Sequence, residues 1–176
     1  MKNIMIDLET LGTEPNSLIL SLAAVEFCEI TGKTGRIFYK KIELLSSLTK
    51  GFVINKETLL WWTNQKSEQF QELFVNEEPI KSVMQQFIYW FQNNNAIVWA
   101  NSPSFDLVIL GNALKKCGYN VPWKYYNERC VRTLLSLAAN AKQQVPKPTK
   151  QHNALVDCEY QIALCVEAKK QILSPV

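Results

Sequence analysis

Two carboxylates two residues apart, Asp7 and Glu9, stand at the end of the apolar segment KNIMIDLE, residues 2–9. In a strand, side chains at i and i+2 point to one face, so the pair would emerge together. Neighbouring carboxylates repel unless a cation lies between them. An all-oxygen ligand set of this kind suits magnesium or manganese. A solvated strand end is the ordinary use of such a tripeptide, so the pair needs company before it carries weight. Asp106, in WANSPSFDLVIL at 99–110, falls in the first turn of a predicted helix. The helix dipole alone favours an acid there, and a carboxylate at that turn can also face a metal. His152, the only histidine, lies five residues before Asp157 in QHNALVDCEY. At about 100° per residue the two would not share a helix face. The spacing therefore puts His152 in the loop before a helix and Asp157 one turn inside it, with His152 or Asn153 near the cap.

Taken together, these residues suit one reaction class. Two-metal phosphodiester hydrolysis needs three or four carboxylates converging on cations about 4 Å apart. It also needs a base of near-neutral pKa to take a proton from the attacking water.

The elements that must position them can be read from the patterning. Residues 2–9, 18–28 and 35–43 predict three strands joined by short turns, one at Thr31-Gly32-Lys33, which suggests an antiparallel meander. Asn55 predicts a cap for a helix over 56–64, and a second short helix follows over 67–75. Pro79 predicts the first residue of a helix over 79–93, with Val83, Phe87, Trp90 and Phe91 on its apolar stripe. Residues 96–100 predict a strand, and Pro103 opens a helix to about Lys116 that Gly118 closes in a left-handed turn. A short strand over 124–130, a helix over 131–141, a basic loop at 142–151 and a last helix over 153–172 complete the chain. Early antiparallel strands followed by αβα units imply an α/β fold with a mixed central sheet flanked by helices. At 176 residues the chain is expected to form a single domain.

Composition narrows the classes further. No run of 18 apolar residues suggests a membrane span, and Asp7 interrupts any signal-peptide core, so a cytoplasmic protein is expected. The five cysteines form no CxxC pair, and reduced thiols are the simpler reading. A net charge of +3 permits a polyanionic partner without demanding one.

The constellation resembles the DEDDh exonucleases, the DnaQ-like group of the RNase H-like superfamily. DLET at 7–10 is similar to the first motif, SFDLVIL at 104–110 to the second, and HNALVD at 152–157 to the third. ETLLWWTNQKSE at 57–68 and YNERCVRTLL at 126–135 resemble the phage DexA-type exonucleases and related bacterial exoribonucleases in particular. The resemblance implies an RNase H-like fold and 3′→5′ removal of nucleoside 5′-monophosphates from single-stranded 3′ ends, with two Mg2+ or Mn2+ ions. Its phage branch favours DNA and its bacterial branch keeps RNA open, and it allows a homodimer. It further implies that Asp7 bridges both metals. Glu9 and Asp157 would complete the site that binds the attacking water, Asp106 would serve the second metal, and His152 would be the general base, delivered by a mobile loop at 142–151. Many relatives carry an aspartate just before the helix at 131–141, where this chain has Cys130-Val131-Arg132-Thr133. The competing readings are a nucleic-acid-binding or accessory subunit on the same fold, and a partner-binding domain. The presence of all five residues argues against the former, and the latter predicts no metal dependence.

Substrate contacts are less sharply marked. Neighbours on a helix point about 100° apart, so at most one of Trp61 and Trp62 is buried by the same surface. Both can serve packing, or one can stack on a terminal base. The resemblance prefers Trp62 with Gln65. Leu11 and Gly12 offer a close approach to the terminal nucleotide. Phe105 fits either a wedge or the core. Lys142, Lys147 and Lys150, with Arg129 and Arg132, are candidate phosphate contacts.

Overall fold

The computed structural model describes residues 2–65, 67–92 and 95–173. The meander forms as β1 (Asn3–Thr10), β2 (Ile19–Phe27) and β3 (Thr34–Lys41), paired antiparallel in turn. Gly32, at φ 73°, supplies the left-handed residue of the β2–β3 turn. On the other side of β1 lie β4 (Ile97–Ala100) and β5 (Glu128–Cys130), both parallel, giving the order β3-β2-β1-β4-β5. The helices are α1 (Leu44–Thr49), α2 (Lys56–Thr63), α3 (Ser67–Glu72), α4 (Ile80–Phe91), α5 (Asp106–Lys116), α6 (Val131–Ser136), α7 (Ala141–Gln144) and α8 (Ala154–Leu173), with a 3₁₀ turn at Tyr125–Asn127. This is the mixed α/β architecture that the patterning predicts.

Alternation along β1 assigns its two faces. Ile4, Ile6 and Leu8 enter a core with Val83, Phe87 and Phe91 of α4 and Leu107, Leu110 and Leu114 of α5. Met5 enters the opposite core with Ala23, Val25, Val131, Leu135, Cys158 and Ile162. There α8 lies close over the sheet, the Cys158 thiol 3.7 Å from the Met5 carbonyl and 3.8 Å from that of Ala23. Ala23, Ala154 and Cys158 are small enough to permit that approach. The odd-numbered side chains of β1 thus face α8, which decides where Asp7 and Glu9 emerge.

Several boundaries differ from expectation. Pro79 is the N-cap of α4 rather than its first residue. That helix stops at Phe91 with Gln92 left-handed at φ 38°, while residue 93 of the predicted span lies outside the described residues. Pro103 belongs to the turn before α5, which begins at Asp106. The predicted helix over 131–141 is two pieces. Leu137 and Ala138 donate to Leu134 and Leu135, i→i−3 bonds that tighten the chain and end α6. That tightening keeps Val131, Leu135, Ala138 and Ala141 all buried. The start of the predicted loop at 142–151 is accordingly helical, as α7. The sequence pattern missed α1 altogether. Its predecessor Glu43 makes no side-chain cap, and it is tied instead to α4 by the Ile80 N–H, which donates to Ser46 Oγ at 3.0 Å. All five cysteines are free. Among the described residues, no helix is long and apolar enough to cross a membrane.

Candidate active site

The C-terminal end of β1 is where the sheet opens. Parallel pairing of β1 with β4 covers Asn3 to Met5, and beyond it Asp7 and Glu9 project on the face of α8. The N-terminus of α8 delivers Asp157 to the same place. Carboxylate oxygens of Asp7, Glu9 and Asp157 all lie within 4.8 Å of one another. Asp106 reaches the site from the other side of β1, in the first turn of α5. Its Oδ1 accepts from the Leu8 N–H at 3.2 Å, a donor left free where β4 parts from β1. Asp106 is 2% exposed and Glu9 8%, while Asp7 keeps partial access to the cleft.

Electrostatics mark the cluster as short of positive charge. Burial pushes the Asp7 carboxyl well above the usual carboxylate range, and the charges of Asp106, Glu9 and Asp157 add to the effect. Glu9 is raised by burial, then by Asp157 and Asp106. Asp106 is pushed up to about 7 by burial, against the Leu8 hydrogen bond and the more distant Arg132 charge. Asp157 is raised by burial, with His152 opposing. Two buried and two half-buried acids that cannot all ionise comfortably alone are a donor set complementary to hard divalent cations.

The cleft above the cluster has a volume of about 360 Å3 and includes Phe105, Lys147, His152, Tyr160 and Gln161 in its lining. His152 occupies the loop position that its spacing from Asp157 demands, with a left-handed φ of 60°. Asn153 is the cap of α8. Its Oδ1 accepts from the Leu155 and Val156 N–H groups, each at 3.2 Å, and its amide donates to Tyr39 Oη at 3.3 Å.

Gln161 was not anticipated from the sequence. It lies one helical turn after Asp157, on the same face of α8, and its Nε2 donates to Asp7 Oδ1 at 2.7 Å. The i, i+4 spacing from a candidate ligand was the available signal.

The expected substrate-side residues are placed unevenly. Phe105 lines the cleft and packs on the core beneath it. Trp62, expected to face substrate, is 1% exposed. It stacks on Phe70 at 5.4 Å, and its Nε1 donates to the Thr10 carbonyl at 2.9 Å. Together with the Asn55 N–H donating to Leu11 O at 2.7 Å, this clamps α2 to the chain just after Glu9. Trp61 is the exposed member of the pair, at 42%, and its ring meets His152. Gln65 donates to the Trp61 carbonyl and does not line the cleft. Leu11 is buried in the core, and Gly12 is closed over by Ser17, whose Oγ would stand 2.4 Å from an added Cβ. The small residue at position 12 thus admits Ser17. Of the basic candidates, Lys147 lines the cleft, Lys150 lies 3.4 Å from Glu72, and Arg132 donates to the Asn101 carbonyl at the cleft edge.

The chain is similar to known exonucleases. A family model described as the 3′-5′ exoribonuclease Rv2179c-like domain matches residues 2–168. The exodeoxyribonuclease of Enterobacteria phage T4 is 23% identical over 198 residues, covering 93% of this chain and 87% of that protein. E. coli exonuclease I in complex with a dT13 oligonucleotide superposes with a TM-score of 0.69 at 14% identity, over 97% of this chain and 41% of that one. The zinc-bound form of an E. coli exonuclease I–single-stranded DNA complex gives 0.69 at 15%, over 96% and 40%. The likeness to exonuclease I is one of fold, the RNase H-like fold, and the chain spans about two fifths of that enzyme's length.

Proposed function

The chain belongs to the Rv2179c-like 3′-5′ exoribonuclease domain family and is a 3′-5′ exonuclease of the DnaQ-like group; from that premise we propose that Asp7, Glu9, Asp106 and Asp157 hold two divalent cations, Mg2+ or Mn2+, and that His152 is the general base for hydrolysing single-stranded nucleic acid from its 3′ end. The observation that carries this reading is the convergence of three carboxylates within 4.8 Å, with a fourth reaching the same cleft from across β1. Bound cations would lower the pKa of the attacking water and stabilise charge on the phosphate.

The side chains divide the remaining work. Asp7 neighbours all three other acids and would serve both cations. Glu9 and Asp157 would complete one site, and Asp106 would serve the other. Gln161 fixes one Asp7 oxygen and so orients the other. The His152 imidazole accepts a proton from the attacking water. As the new P–O bond forms, the bond from phosphorus to the 3′ oxygen of the preceding nucleotide breaks. That oxygen takes up a proton, and a nucleoside 5′-monophosphate leaves. Lys147 supplies positive charge for the phosphates at the cleft wall.

Single-stranded DNA is the proposed substrate, supported by the phage T4 exodeoxyribonuclease, which matches along most of both chains. The exoribonuclease description of the family model favours RNA as the second reading. The test uses 3′- and 5′-labelled single strands of DNA and RNA with Mg2+ or Mn2+. Mononucleotide release from the 3′ label is expected, with loss of activity in Asp7→Ala. Full activity in purified Asp7→Ala, or degradation from the 5′ end, would overturn the assignment.

A further inference from the structure

His152 departs from the backbone conformation that most residues adopt. A left-handed φ of 60° in a residue other than glycine persists where its surroundings over-determine it. Two separate mounts do so here. The backbone is fixed from the C-terminal side by Asn153, capped into α8 and tied to Tyr39 of β3. The ring is met by Trp61, with centroids 4.7 Å apart and planes at 87°, an edge-to-face contact. Trp62 lies behind at 6.1 Å. Trp61 does not float on the surface, because Trp62 pins the same helix to the Thr10 carbonyl, next to Glu9. The indole is thus registered to the strand that carries two of the acids.

We propose that Trp61 is the positioning residue for His152, holding the imidazole over the carboxylate cluster so that α2 transmits the location of β1 to the base. The proposal rests on the reading of His152 as general base. It gives the adjacent tryptophans two distinct tasks: Trp62 anchors the helix and Trp61 braces the base. Misplacing a catalytic group by about 1 Å costs on the order of 10²-fold in rate, which sets the size of the effect.

The experiment compares wild type, Trp61→Leu, Trp61→Phe and His152→Ala as full chains. Trp61→Leu is expected to lower kcat by about 10²-fold. KM and the rise in Tm caused by Mn2+ should stay unchanged, and Trp61→Phe should restore most of the rate. A proton NMR spectrum adds a readout independent of activity. The chain has one histidine, so its imidazole C–H signals need no sorting, and they should move between wild type and Trp61→Leu as the indole ring current is removed. Unchanged kcat in Trp61→Leu, a rise in KM alone (a base-stacking role), or unmoved histidine signals would each overturn the inference. Full kcat in His152→Ala would instead remove the general-base reading, while the histidine signals still report whether the ring contact exists.

Discussion

Asp106 lets the electrostatics of the site be tested without substrate. In Asp106→Asn one side-chain oxygen remains to accept from Leu8, and one ionisable carboxyl is lost. Burial raises that carboxyl from an ordinary 3.8 to about 7. An acid with a raised folded pKa keeps its proton in the native state over a range where the unfolded chain has lost it. Stability therefore falls as pH rises through that range, and the loss is complete above the folded pKa. At about 1.4 kcal/mol per pH unit, the interval from 3.8 to about 7 amounts to at most about 4 kcal/mol. The assay is thermal unfolding in EDTA at pH 5 and pH 8. At pH 8 Asp106→Asn should melt above wild type, by on the order of 10 °C at the upper limit for a domain of this size. At pH 5 the difference should shrink to less than about half. Adding Mn2+ should raise wild type more than the variant, because a ligand binding only the folded state stabilises it, and exonuclease activity should be lost in the variant. A variant less stable than wild type at pH 8 in EDTA, or a difference equal at both pH values, would refute the reasoning.

Gln161→Leu removes the donor to Asp7 and keeps the buried volume apolar; Mn2+ affinity read by calorimetry should fall roughly 10–100-fold, and unchanged affinity would show that Asp7 needs no orientation from α8. Lys147→Ala should raise KM for single strands and flatten the dependence of log KM on log salt by about 0.7, the contribution of one phosphate contact. An unaltered salt slope would remove Lys147 from the substrate path.

What the sequence made legible follows from which interactions are local. Asp7 and Glu9 share a face because strand geometry has period two, and no tertiary information is needed for that. His152 and Asp157 fail to share a helix face by simple rotation, and the observed loop position of His152 is what that arithmetic requires. Asn55 caps α2 through a bond to Thr58, three residues away. By contrast, α1 has no side-chain cap and borrows its support from α4, thirty-four residues on. The division of 131–141 arises because four buried positions must all meet the sheet side, a demand set by α8 and β4 rather than by the segment itself. The tryptophan pair shows the same boundary most clearly. Rotation on a helix says that Trp61 and Trp62 differ, but which one is buried depends on where Thr10 and Phe70 lie. Once Thr10 takes the Trp62 N–H, Trp61 is left turned toward the loop of His152. The residue that the resemblance put on the substrate side is the buried anchor of α2, and its neighbour faces His152.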